Sequence, residues 1–392
     1  MMKTKNLSNI LLASLLIAIG QGGFSQTKQL DFLQDENAQG PDFWIYNNLD
    51  AEEAKNKQLI VRLAQEQFVA VRQVEMKWVD LSQFQFDYDL NWAAMFVNAD
   101  DTVYERYGNQ SAADADADNS IASVEKTMRR VLALHEDYSN NKNGLAGKLG
   151  KPKPYKTALE MPGMKHRAKL SRSTARNNCV QCHNIHDAVH EQLYRNQKFS
   201  HDALWRYPLP ENMGLTIDPD DGLAIAGVKS GSTAFKSGLR AGDTLARANG
   251  QLLTSIADLQ WVLHKLPNTD TKVTLQAKRG DESIVKKIAI NAGWKKTDIS
   301  WRGSLWSLKP VLATWCAQMK KENVKKLQLG EGVNALEVPW INTGRVEGRV
   351  AKRAGLKKGD IIIGMENKPL RLTSQQFNMH VKLNYEMAKS CR

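Results

Sequence analysis

The feature that most limits how this chain can fold is a heptapeptide written twice. Ser237-Gly238-Leu239-Arg240-Ala241-Gly242-Asp243 recurs 117 residues later as Ala354-Gly355-Leu356-Lys357-Lys358-Gly359-Asp360. A strand and turn follow the first copy at Leu245 to Gly250, and Ile361-Ile362-Ile363-Gly364 follows the second. A helix then comes in each, over Ser255–His264 and Thr373–Lys382. Recurrence of a whole turn, strand and helix points to one small domain used twice. Strands at Lys272–Lys278 and Ile284–Ile290 close the first copy, whereas the second reaches Arg392 before their counterparts and is expected to be incomplete.

The chain begins like an exported protein. Lys3 and Lys5 precede the apolar run Ile10–Ile19, and Gly23-Phe24-Ser25 offers a small-x-small cut, so residues 1–25 read as a secretory leader. That run is too short to span a bilayer well, and no integral span is expected after cleavage. The formal charge of +12 falls to +10 when Lys3 and Lys5 leave with the leader. No nucleic-acid reading motif accompanies the charge, so nucleic acid is excluded as a partner and an anionic envelope surface or acidic protein is the simpler reading.

Cys179-Val180-Gln181-Cys182-His183 has the spacing of a c-type haem attachment site: two thiols for the vinyl groups, then an imidazole for the iron. The same residues also suit a redox dithiol, a structural disulfide or part of a zinc site. With iron on His183, candidates for the sixth ligand are His190, His201 and Met213, with Met161, Met164 and His166 upstream; His186 is too near in sequence to reach the other face of the ring. Cys316 lies in an apolar stretch read as helix, and Cys391 in the tail.

Residues 31–138 read as α/β. A helix covers Ala54–Gln67, strands cover Phe68–Val74 and Trp92–Val97, and Asn98-Ala99-Asp100-Asp101 turns the chain into a partner strand at Thr102–Gly108. Ile121–His135 is an amphipathic helix. Asp87 and Asp89 can be read as paired carboxylates, and as turn and capping residues they are more ordinary. Ser139–Arg176, rich in lysine, asparagine, glycine and proline, reads as a solvated basic linker.

Phe86–Ala94, the Asn98-Ala99-Asp100 turn with Tyr104–Gly108, the CxxCH and the two repeats together resemble bacterial exported thioredoxin-like/PDZ proteins with a CxxCH motif. That resemblance implies an α+β multidomain chain: a degenerate thioredoxin-like α/β domain followed by two PDZ-like, partly open β-barrel domains. The expected segments are leader 1–25, thioredoxin-like domain 31–138, basic linker and CxxCH segment 139–209, PDZ domain 210–292, tryptophan-rich connector 293–332 and PDZ-like domain 333–392. The thioredoxin-like part is degenerate because residues 1–178 contain no cysteine. Met213-Gly214-Leu215-Thr216-Ile217 resembles the PDZ carboxylate-binding loop, with Thr216 in place of its second glycine. A strand edge there implies partners that are protein or peptide C-termini.

Exported serine proteases carry such repeats, but the chain has no Gly-x-Ser-x-Gly elbow and Gly303-Ser304 lacks its surroundings. The reading of the sequence is therefore a non-proteolytic periplasmic or envelope protein. It joins peptide binding to electron transfer or redox sensing through haem c on Cys179, Cys182 and His183, with a possible acidic redox partner. A thiol-disulfide oxidoreductase using Cys179 and Cys182 is the alternative, and a scaffold with those cysteines bridged is a third.

Overall fold

The computed structural model describes residues 14–20, 51–73, 75–113, 117–172 and 178–385. The chain divides into two compact units, Met1–Thr297 and Asp298–Arg392. It is a mixed α+β protein with several small sheets, and no helix among the described residues is long and apolar enough to cross a membrane.

The first sheet of the N-terminal unit has four strands. β1 (Ser14–Gly20) lies between β2 (Phe68–Gln73), antiparallel to it, and β3 (Trp92–Val97), parallel to it; β4 (Val103–Tyr107) runs antiparallel along β3. β1 falls inside the stretch read as a leader. The rest of that leader lies outside the described residues. Helix α1 (Ala51–Gln67) leads into β2, whose Phe68 and Ala70 are buried while Val69 is exposed, the alternation of a half-covered strand.

Helix α2 (Ile121–Glu136) opens on a capping box. Ser123 N donates to Ser120 Oγ at 3.0 Å, and Ser123 Oγ closes the reciprocal contact. Its Met128 and Val131 pack against Phe68, Phe96, Tyr104 and Tyr107.

The solvated linker expected after residue 138 is instead built into the unit. Helix α3 (Tyr138–Leu145) runs into a short 3-10 turn that carries Lys148 inside, 0% exposed. Its ammonium donates to Asp258 Oδ2 at 2.5 Å, lies 3.5 Å from Glu105 Oε2 and also reaches the Tyr104 carbonyl. Composition alone placed this lysine in water, and its buried acidic partner, 110 residues away, is what holds it inside.

After helix α4 (His183–Arg195) the chain enters the 210–292 segment. Here β5 (Leu215–Ile217) pairs antiparallel with β6 (Ile225–Val228), and a second sheet holds β7 (Thr244–Ala248), β8 (Gln251–Leu252), β9 (Thr271–Arg279) and β10 (Glu282–Ile290) in the order β10-β9-β7-β8. Helix α5 (Ile256–Lys265) is N-capped by Ser255 and packs Leu259, Val262 and Leu263 onto Leu215, Val273 and Leu275.

The repeat is structural as well as textual. Gly238 and Gly355 have φ of +83° and +100°, and Gly242 and Gly359 both have +89°, values that favour glycine. Asp243 Oδ2 accepts from Arg240 N at 2.9 Å, and Asp360 Oδ2 from Lys357 N at 2.8 Å. In the second unit, β11 (Thr314–Gln318), β12 (Leu336–Ile341) and β13 (Ile361–Ile362) form one sheet, followed by helix α6 (Val346–Arg353) between β12 and β13 and helix α7 (Ser374–Asn384) at the end. β11 lies within the stretch expected to be a connector. Cys316 is buried on that strand and not on a helix, in keeping with the strand-favouring Thr314 and Trp315. Cys391 lies outside the described residues.

Replacing Asp258 with alanine strands Lys148 and Arg106 in the interior and is expected to cost about 3–5 kcal/mol. The measurement is a lower urea midpoint for the N-terminal unit. An unchanged midpoint contradicts the buried pairing.

Candidate peptide-binding edge and the CxxCH helix

The two stretches singled out by sequence occupy different environments. Helix α4 starts at His183, directly after the second cysteine. Cys182, His186 and His190 recur every four residues and so share one helix face, which is turned inward: they are 4%, 6% and 1% exposed. Cys179 is half-buried, and Val180 is locked in place by a bond from Met76 N to its carbonyl at 2.8 Å. His183 points elsewhere; its Nε2 lies 2.8 Å from Gln181 Oε1 and its Nδ1 3.3 Å from Asp187 Oδ2.

Cys182 is buried at the start of α4, and haem c on Cys179, Cys182 and His183 stays an expectation. The sixth-ligand candidates scatter. Met213 is a core residue of the 210–292 segment, His201 is exposed, and His190 is buried with Arg206 Nη2 3.2 Å from its Nε2. Burial pushes the Cys182 thiol up to about 12, which leaves it protonated and a poor nucleophile.

Opposite the inward face of α4 lies the turn that carries Asp87 and Asp89. His186 Nε2 stands 3.7 Å from Asp87 Oδ1 and 3.9 Å from Asp89 Oδ2, and all three residues are buried. The four-residue spacing on α4 was visible in the sequence, whereas its meeting with a turn about a hundred residues earlier was not.

The stretch Met213–Ile217 does form a loop and strand. Gly214 adopts φ +84°, and a Cβ built there would come within 2.3 Å of Ser232, so glycine is required on both counts. Leu215 and Ile217 point into the core, Thr216 is exposed, and β5 pairs with β6 along one edge. Residues 211–290 match the PDZ domain family.

The PDZ module has one unusual property here. Ile256 to Leu263 of α5 are all buried, so no face of that helix is open. The core covers one side. On the other, Trp261 Nε1 donates to the Gly147 carbonyl at 2.9 Å, the Arg106 guanidinium sits 3.9 Å above the Trp261 ring, and Gln260 Nε2 donates to the Tyr207 carbonyl at 3.1 Å. Tyr207 also stacks on His264 with ring centres 4.3 Å apart.

Comparison with curated proteins gives periplasmic relatives. The chain is 29% identical over 185 residues to a probable periplasmic serine endoprotease DegP-like of Pseudomonas savastanoi pv. phaseolicola, covering 46% of this chain and 35% of that protein. It is 29% identical over 153 residues to the periplasmic pH-dependent serine endoprotease DegQ of Escherichia coli, covering 38% of this chain and 30% of the relative. Against the periplasmic serine endoprotease DegP of Salmonella typhimurium it is 24% identical over 166 residues, covering 40% and 29%. The chain thus spans about a third of the length of the curated relatives it matches.

These relatives overturn the reading of a non-proteolytic redox protein, and with it the oxidoreductase and bridged-scaffold alternatives: proteins 24–29% identical to part of this chain are named serine endoproteases. The absence of a Gly-x-Ser-x-Gly elbow does not by itself exclude that activity, because serine proteases of other folds set the same chemistry in other local sequences. The thioredoxin-like character of residues 31–138 stays an expectation.

Burial, with Lys295 and Arg206 adding to it, lowers His264 from the usual 6.5 to about 3. Between those values the unfolded chain holds a proton that the fold refuses, so stability falls as pH drops through this window. The expected slope from this group is up to about 1.4 kcal/mol per pH unit. Thermal midpoints taken from pH 7 to pH 4.5 should decline, and more steeply in the parent than in His264→Phe; equal slopes rule out this origin.

Proposed function

We propose that this chain captures polypeptide termini in the periplasm and takes part in serine endoproteolysis of exported proteins. The observation that carries the reading is the PDZ match over residues 211–290, within which β5 is an edge strand entered through the left-handed Gly214. An extended peptide adds to such an edge by backbone hydrogen bonds, and side chains on alternate positions supply selectivity. The loop Met213–Ile217 receives the terminal carboxylate on backbone N–H groups other than Gly214 N, which already donates to the Glu211 carbonyl at 2.9 Å, as backbone N–H groups in a turn receive anions generally. Because α5 is enclosed on every side, recognition rests on the strand edge and the exposed Thr216 more than on a helix wall. The periplasmic relatives support both the compartment and the class of reaction.

Anisotropy of a fluorescent peptide with an apolar, free C-terminus measures the capture. Amidating that terminus is expected to weaken binding at least tenfold, and Gly214→Val to abolish it while the N-terminal unit stays folded. Adding the chain back to periplasmic extract from cells that lack it should speed casein degradation, and Gly214→Val should not. Binding indifferent to both the carboxylate and Gly214 refutes the reading.

A further inference from the structure

The cluster formed by Asp87, Asp89 and His186 plays no part in peptide capture. Its three side chains come from two elements: the turn closed by Leu90 N donating to the Asp87 carbonyl at 3.1 Å, and the first turn of α4. The carboxylates are 8% and 0% exposed and the imidazole 8%, so the cluster is closed to bulk water.

The distances say what kind of charge fits. His186 is 6% exposed and its Nε2 has no hydrogen-bond partner, although it is aimed at both carboxylates. At 3.7 and 3.9 Å it is too far from either for a hydrogen bond, for which about 2.9 Å is usual. Donors about 2.1 Å from a tetrahedral cation are spaced roughly 3.4 Å from one another. The gaps around Nε2 are therefore close to those of ligands around an ion, and one donor atom from each residue falls within 4.8 Å of the other two.

We propose that Asp87, Asp89 and His186 bind a divalent first-row cation of the zinc class, which fastens helix α4 to the Phe86–Leu90 turn. Two carboxylates cancel the charge of the ion, and one neutral imidazole gives the nitrogen donor that such ions prefer over calcium or magnesium. Side chains this enclosed make the role structural: the ion fixes the start of α4, where Cys182 and His183 lie.

The test uses the full chain, stripped with chelator and titrated with cobalt(II) chloride, whose visible d–d bands report coordination. Saturable binding of one equivalent and a rise in the thermal midpoint are expected. Asp89→Asn and His186→Gln should weaken binding at least tenfold and lose the rise, and Asp187→Asn, in the same helical turn but outside the cluster, should change neither. The isosteric Asp89→Asn also guards against misfolding: its metal-free midpoint should match or exceed that of the parent, since it removes one of two neighbouring acids. No cobalt binding, binding unaltered by Asp89→Asn and His186→Gln, or binding abolished by Cys182→Ser with thiolate charge-transfer bands in the parent overturns the proposal.

Discussion

Most of the N-terminal unit depends on a lysine ammonium held in a place that water does not reach. Lys148 arrives from the segment after α3, Glu105 and Arg106 from β4, and Asp258 from the PDZ helix, so a single buried cluster ties three parts of the chain together. Burial raises Asp258, yet the Lys148 and Arg106 charges outweigh it and keep that carboxylate below its usual range. Glu105 goes the other way: burial and the nearby Asp258 charge raise it well above a normal glutamate despite Lys148. Glu105 also accepts from Ser255 Oγ at 2.7 Å. Removing any charged member strands the others, which makes the arrangement far costlier to break than its net contribution to stability suggests.

That cluster decides how the PDZ module presents itself. Asp258 draws α5 against β4, and Thr254, which donates to Asp258 through both N and Oγ1, fixes the start of the helix. Arg130 of α2 adds a second tie, with its Nη2 2.9 Å from Asp221 Oδ1 and its Nη1 2.7 Å from the Asp221 carbonyl. A peptide-binding module joined by a flexible linker would leave its helix free along one side. Here that helix is part of the interior, and the strand edge at Thr216 is left as the accessible element.

The region around α4 shows the same logic with different chemistry. Its Cys182, His186 and His190 face inward because three polar or sulfur-bearing side chains at four-residue spacing share a side, and that side is packed against Tyr88 and the Asp87–Asp89 turn. The motif that looked like an exposed attachment site is thereby half hidden. Its buried thiol is held protonated, while its flanking histidine, and not the one inside the motif, meets the acids.

Local pattern was enough for the elements themselves. The apolar run Trp92–Val97, the helices after Ser120 and from Ser255, and the paired Gly-Asp turns at 242–243 and 359–360 were legible because each is dictated by neighbours within a few residues. The PDZ module and its loop at Gly214 were legible for the same reason. What only the tertiary structure decided were the meetings across long stretches of chain: Lys148 with Asp258, Arg130 with Asp221 and His186 with Asp87. A lysine-rich stretch and an Asp-x-Asp turn carry the same local signal whether they lie in water or inside. Whether a buried charge finds its counter-charge is settled only when distant segments pack, and that is why Lys148 of the basic linker became core and a pair of turn aspartates became two of the three residues of a candidate metal site.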